Sequence, residues 1–373
     1  MSSHPTSATD ESRADPISTK PLAIWLRCVC LSVVVILIVG GVTRLTGSGL
    51  SMVDWRPIAG ILPPITDTQW NEVFDQYKAS PEYQKVNLGM NLNEFKSIFF
   101  WEYLHRIMGR IVGLLCLLPY LWFLFRKKLV GNLRMKGLIL VLLVGAQGLM
   151  GWYMVKSGLV NNPEVSHYRL AAHLGLAFSV FGLGWWMLQD LNPGDPEEPK
   201  ERGLGRLRLF ACILFGLLCL QITYGAFTSG MKAGYGFNTF PKMQKEWLPE
   251  GLFGLSPFWQ NFVADKFSVQ FIHRWMGAAL TLATLGMAWF SFKSQALNET
   301  QKIRLRWVVG LVVTQFSLGV ATILLIIDFP ILLPVIHQLV ALFLFASLLS
   351  FIHSLGSGLG NLESASEAGK GAT

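Results

Sequence analysis

Eight stretches of this sequence run for about twenty residues or more with very few charged side chains, at roughly 22–42, 99–125, 137–156, 168–188, 207–228, 270–291, 306–328 and 333–355. A helix rises 1.5 Å per residue, so about twenty apolar residues cross the ~30 Å hydrocarbon layer of a bilayer. No water is present there to satisfy backbone N–H and C=O groups, so a run that crosses must pair them internally, as a helix does. The eight runs therefore predict an all-α polytopic membrane protein. A large soluble helical protein would scatter charges between such runs. Here only 14% of residues are charged and 52% are hydrophobic, against about a quarter charged in a soluble domain.

The net charge of +8 belongs to membrane orientation rather than to nucleic acid. Arg126, Lys127, Lys128, Arg134 and Lys136 lie between runs 2 and 3. Lys200, Arg202, Arg206 and Arg208 lie between runs 4 and 5, and Lys293, Lys302, Arg304 and Arg306 between runs 6 and 7. The positive-inside rule places these three connections, and both termini, in the cytoplasm. A bacterial inner (plasma) membrane is expected in preference to a mitochondrial inner membrane. Residues 1–21 are polar and include Asp10, Glu11 and Asp15, which predicts a cytoplasmic disordered tail rather than a cleaved signal. The other two large connections, 43–98 and 229–269, then face outward. Loops of that length usually carry function. All five cysteines fall inside apolar runs, where they read as small packing residues.

The chain repeats itself. "FFWEYLHRIMG" at 99–109 and "SVQFIHRWMGA" at 268–278 each place His-Arg-x-Met-Gly at the start of an apolar run. His105 and His273 are 168 residues apart. The same offset relates Arg106 to Arg274, Gly109 to Gly277, Gln147 to Gln315 and Gly151 to Gly319, while His173 and His337 differ by 164. Each half has four runs, so the repeat is parallel rather than inverted. The expected architecture is two tandem four-helix bundles: 22–188, with a linker at 189–206, then 207–355 and a second cytoplasmic tail at 356–373.

Of seven histidines, the four repeated ones sit near the outer ends of even-numbered runs. Facing helices of a bundle present side chains to each other across its centre, and two imidazoles are suitable axial ligands for haem iron. Zinc fits less well, since few other soft or acidic ligands lie nearby, and quinone binding stays open. Arg106, Arg110 and Arg274 lie at a depth suited to an anionic cofactor such as a haem with its propionates. Arg169 is explained by snorkelling to the headgroups. Glu102 shares a helix side with His105 and Arg106, and its counterpart is Gln270. A carboxylate at the membrane edge is costly unless paired or useful. This asymmetry suggests chemistry in the first half and cofactor retention in the second. It also leads one to expect that the fold tolerates Glu102→Gln, since the duplicate already has an amide.

At these residues the chain resembles haem A synthase. The resemblance rests on "GGVTRLTGSGLSMVDWRPIAG" at 40–60, "EYLHRIMGR" at 102–110, "YRLAAHLGLA" at 168–177, "GAFTSGMKAGYGFNTFPKM" at 225–243, "VQFIHRWMG" at 269–277 and "IHQLVALFL" at 336–344. It covers roughly 22–355 and is closest to the mitochondrial and alphaproteobacterial branch, which lacks cysteine pairs in its outer loops. The resemblance implies oxidation of the C8 methyl of haem O to a formyl group by two successive hydroxylations, giving haem A for terminal oxidases. It implies haem b as cofactor in the second bundle with His273 and His337 as axial ligands. It further implies a substrate site lined by His105 and His173, which would meet the substrate iron, with Glu102 as the acidic catalytic residue. Expected partners are haem O, a haem O synthase (protohaem farnesyltransferase), an electron donor and further copies of the chain, but no nucleic acid. No nicotinamide or iron–sulfur motif identifies the donor. A dihaem cytochrome b-like quinol oxidoreductase subunit and a haem transporter or chaperone are the alternative functions.

Overall fold

The computed structural model describes residues 19–54, 61–129, 131–158, 163–191, 204–294 and 296–356. Residues 1–18 and 357–373 of the terminal tails and residues 192–203 of the linker lie outside the described residues. Among the described residues, eight helices are long and apolar enough to cross a membrane: α1 Lys20–Leu45, α4 Leu92–Phe125, α5 Asn132–Gly158, α6 His167–Asp190, α7 Leu204–Gly230, α8 Lys266–Lys293, α9 Glu299–Leu324 and α10 Leu332–Ser354. Two short helices, α2 Asp67–Lys78 and α3 Pro81–Lys85, lie in the first long connection.

Several helices begin before their apolar runs because their caps lie in polar sequence. Asn91 accepts from the N–H groups of Asn93 and Glu94, and Glu94 reaches back to the Asn91 N–H, so α4 starts seven residues before its apolar run. Asp265 caps α8 through the N–H groups of Phe267 and Ser268, and Asn298 with Gln301 closes the same box on α9. At its far end α9 stops at Leu324 rather than near Asp328. Pro330 keeps the Phe329 backbone out of helix, whereas Pro334 lies in the first turn of α10, where a missing N–H is tolerated.

The long connections lie at one end of the helices, called here the loop side. In the first, α2 docks on the start of α4 through aromatic rings, and Tyr83 of α3 packs edge-on against the Phe74 and Tyr77 rings of α2. Tyr77 stacks on Phe95 at 4.9 Å, Phe74 lies 5.0 Å from Phe95, and Trp70 meets Phe99 edge-on at 5.1 Å. This satellite core of Phe74, Tyr77, Phe95 and Phe99 is separate from the main one. In the second, Asn261 is fully buried and holds the turn by bonding the Leu255 N–H and the Leu255 and Phe258 carbonyls.

Helix α1 packs on α4 and α6, and α5 packs on the same two. In the later part of the chain, α7 and α9 each pack on α8 and α10. Helix α6 packs on α7 as closely as on α1, and α10 touches α1, α6 and α7. One apolar core runs through both sets and includes Phe178 against Phe345 and Phe215 against Phe345. At the end opposite the loops, polar bonds tie the sets together. Asp190 accepts from Lys136 at 2.6 Å and meets His353 at 2.9 Å. Ser350 Oγ accepts from Trp185 and Gln189.

Candidate functional site

The four repeated histidines occupy matching helices: His105 on α4, His173 on α6, His273 on α8 and His337 on α10. His105 lies within electrostatic reach of His173, and His273 within reach of His337. The structure thus brings together the two pairs expected from sequence. The other described histidines are occupied elsewhere, His167 with the Val263 carbonyl at 2.7 Å and His353 with Asp190.

Each imidazole lies against a glycine of the preceding long helix. A Cβ at Gly40 would stand 2.8 Å from His105 Cε1, and one at Gly151 would stand 3.3 Å from His173 Cε1. The corresponding figures are 3.1 Å for Gly225 against His273 and 3.1 Å for Gly319 against His337. Any larger residue would displace the ring. All four rings keep a buried Nδ1 that has no hydrogen-bond partner. A buried polar atom left unsatisfied is costly, and four equivalent ones point to a ligand or proton that completes them. No group of three His, Cys, Asp or Glu suited to a metal ion occurs among the described residues. Paired imidazoles fit a flat macrocycle that brings its own equatorial donors, and glycine at each ring makes room for its plane.

Above each pair, the loop is clamped by the residues one turn along the histidine helix. Glu102 is 2% exposed. Its Oε2 accepts from Ser51 Oγ at 2.7 Å and from the Met52 N–H at 2.8 Å, and its Oε1 from Arg106 at 2.6 Å. Arg106 also donates to the carbonyls of Met52 and Asp54. In the second half, Gln270 donates to the Phe237 carbonyl at 2.9 Å, and Arg274 donates to the carbonyls of Phe237 and Thr239. The arginines read from sequence as cofactor partners are thus placed on loop backbone. Arg110 lies one turn further along, within electrostatic reach of Arg106 and Tyr103. Arg169 stacks over Tyr153 at 4.6 Å.

The amide at position 270 is therefore no precedent for one at 102. The first loop offers Glu102 two donors, to which Arg106 on its own helix adds a third, whereas the second loop offers Gln270 an acceptor. Each clamp is matched to its own loop, so the expectation that Glu102→Gln is tolerated does not hold on this geometry.

Sequence reasoning missed Arg44, which joins the halves by donating to Ser229 Oγ at 2.8 Å and to its carbonyl at 2.7 Å. It also missed Gly40 and Gly225. These two could have been found by asking which glycines precede each histidine helix, as Gly151 and Gly319 do.

The fold and site define a class: a multi-pass all-α membrane protein with two pairs of imidazoles, each beneath a clamped loop and each suited to a planar iron-bearing group. Comparison with known proteins narrows this. The model of the cytochrome oxidase assembly protein family COX15-CtaA matches residues 23–349, and the chain belongs to this family. It is 44% identical over 338 residues to the heme A synthase of Nitrosospira multiformis, covering 90% of this chain and 94% of that one. It is 40% identical over 330 residues to that of Nitrosomonas eutropha, covering 88% and 92%. It is 39% identical over 340 residues to that of Flavobacterium johnsoniae, covering 90% and 98%.

Proposed function

We propose that this protein is a haem A synthase, an oxidoreductase that converts the C8 methyl group of haem O to the formyl group of haem A. Near-full-length identity to heme A synthases carries the reading, and the two imidazole pairs supply a physical site for it. The helices are organised as two four-helix bundles, α1 with α4–α6 and α7–α10, supported by the packing of each helix on two others of its own set. His105 and His173 line the substrate site. His273 and His337 would hold a resident haem b. When bound, haem b supplies one-electron redox chemistry.

The chain's own residues do the rest. Gly40 and Gly151 let the first pair of imidazoles stand close to their neighbouring helices and leave space for a porphyrin face. Glu102 and Arg106 hold residues 51–54 over that pair and exclude water. Arg274 and Gln270 do the same with residues 237–239 over the second pair. Each hydroxylation consumes dioxygen, two protons and two electrons from an external donor, and releases one water. The second gives a geminal diol, which loses water to become the aldehyde. Haem O reaches the site from the bilayer, so a haem O synthase is the natural upstream partner.

The basic connections set the orientation. Lys127, Lys128 and Arg134 lie at the end opposite the long loops, which puts the loops outside and both termini in the cytoplasm. A cysteine placed at the exposed Lys245 is then labelled from outside and one at the exposed Asn132 is not, and the reverse pattern overturns this orientation. The function is tested with purified protein, haem O, dioxygen and a reductant. Hydroxylated and formylated haem are expected. Unmodified haem O, under conditions in which the Nitrosospira relative converts it, overturns the reading in favour of electron transfer or haem carriage.

A further inference from the structure

The second long connection contains "WLPEGLFGLSPFWQNF" at 247–262, a run with one charged residue, Glu250, in sixteen. In the first connection, residues 67–85 of α2, α3 and the turn between them have six in nineteen. The aromatic side chains of α2 and α3 turn inward, with Phe74 and Tyr77 buried and Trp70 and Tyr83 half-buried. In the second connection they turn outward, and Trp247, Phe258 and Trp259 are 54%, 61% and 61% exposed. Helix α8 fixes the depth of this run. Its exposed side chains Trp275, Leu282 and Trp289 recur every seven residues, about two turns, and so share one lipid-facing stripe. At the end opposite the loops, Lys293 lies over the Trp289 ring at 4.2 Å, as anchors at a membrane interface do. Some twenty residues cross the ~30 Å hydrocarbon layer, so counting back from 289–293 puts its other edge at about residues 269–273. The loop meets α8 at that level. Trp247 packs on Trp275 at 6.0 Å and Phe253 on Phe271 at 6.0 Å. Phe253 in turn meets Phe258 at 6.5 Å and Phe262 at 6.1 Å.

We propose that residues 247–262 lie in the boundary between headgroups and acyl chains of the loop-side leaflet, with Trp247, Phe258 and Trp259 in contact with lipid. At this depth, on the outer face of α8, lipid surrounds the protein, so rings exposed there meet lipid and not bulk water. The patch continues the exposed stripe of α8 through the contact of Trp247 with Trp275. A large exposed apolar patch marks an interaction surface, and tryptophan suits this one because its ring is apolar while its N–H finds water or headgroup partners. Residues 237–239 belong to the same connection. The cap over the second imidazole pair is therefore held from within by Arg274 and Gln270 and from outside by the bilayer.

The inference rests on the membrane spans and not on the haem reading, so a protein inactive on haem O gives the same result. Wild-type protein is reconstituted in vesicles of phosphatidylcholine and phosphatidylglycerol. A small share of the phosphatidylcholine carries a photoactivatable diazirine, either beside the glycerol ester or at the end of an acyl chain. Adducts are mapped by mass spectrometry after irradiation and proteolysis. The ester-proximal probe is expected to label 247–262 as strongly as the turn around Trp275. The chain-end probe is expected to label the turn around Leu282 and to lose 247–262. Residues 67–78 of α2, which pack on Phe95 in the first turn of α4, serve as the aqueous control and stay unlabelled by both. An unlabelled 247–262 beside a labelled Trp275 turn overturns the proposal, and so does labelling no stronger than that of 67–78. A bifunctional reagent that joins 247–262 to a second copy of the chain, with no lipid adduct there, overturns it in favour of a contact between copies.

Discussion

Replacing Glu102 with Gln exchanges one acceptor oxygen for an NH₂ group in a place that offers only donors. Ser51 Oγ and the Met52 N–H point at one carboxylate oxygen and Arg106 at the other. Whichever way the new amide turns, its NH₂ group meets a donor. Both charged side chains are almost fully enclosed, at 3% and 7% exposure. A buried donor left unsatisfied costs about 1–3 kcal/mol, and removing one partner of a buried ion pair costs about 3–5 kcal/mol. Arg106 keeps two carbonyl acceptors, so the lower part of these ranges applies. We expect about 3 kcal/mol of local destabilisation, which is roughly a hundredfold increase in opening of the 51–54 segment. Hydrogen–deuterium exchange in detergent reads this directly, with the Met52 amide as the reporter and residues 237–239 as the internal control. Loop opening is expected with unchanged haem in the second half and reduced conversion of haem O. Wild-type protection of the Met52 amide in the variant refutes the clamp. If conversion is lost while that protection persists, the carboxylate acts on the chemistry and not on the loop.

Two further outcomes follow from distances and burial. Alanine at Gly40, Gly225, Gly319 and Gly151 intrudes on its histidine in the order 2.8, 3.1, 3.1 and 3.3 Å, against about 3.5–4.0 Å for relaxed carbon contact. Gly40→Ala should therefore impair conversion more than Gly151→Ala, each overpacking costing about 1–3 kcal/mol, while Gly225→Ala and Gly319→Ala lower retained haem; the reverse order between Gly40 and Gly151 contradicts the packing argument. Glu82 in α3 is 5% exposed, and burial, reinforced by the nearby charge of Glu102, pushes its carboxyl from 4.5 up to about 8. The folded loop thus binds more protons than the unfolded one between these values, so its stability falls as pH rises through that window, by up to about 1.4 kcal/mol per pH unit; exchange of the α2–α3 amides measured from pH 5 to 8 should show this, and Glu82→Gln should flatten it.

The spans were legible because length and apolarity alone decide what crosses a bilayer. Their ends were less so, since Asn91, Asp265 and Asn298 cap helices outside the apolar runs and an apolar count does not see them. The duplication was legible from His-Arg-x-Met-Gly, and so was the pairing of His105 with His173 and His273 with His337. What Glu102 and Gln270 bind was not legible. Their partners lie 51 and 33 residues away in sequence, and an offset between two halves says nothing about whether a loop presents donors or acceptors. The expectation of two bundles came from counting four runs per half. The close packing of α6 on α7 and the shared core around Phe345 come from side-chain volumes at an interface that the repeat does not encode.

The differences between the halves concern how firmly each site is held. Both loops are anchored by an arginine on the histidine helix, at positions 106 and 274. Among the described residues, only in the first half is that arginine paired with a carboxylate. The first clamp therefore holds two ionised groups, Glu102 and Arg106, and both regain hydration when it opens. The second holds one guanidinium, Arg274, on carbonyl dipoles beside a neutral amide, Gln270 on Phe237. On the proposed reading the first site must admit haem O and release haem A, while the second keeps its haem through every turnover. The clamp with two ionised groups to rehydrate falls in the half that has to open, and the clamp with one falls in the half that has to stay shut. The repeat carries His-Arg-x-Met-Gly and the same imidazoles into both halves. On the proposed reading, the exchange of carboxylate for amide between 102 and 270 is the difference that bears most directly on which site opens.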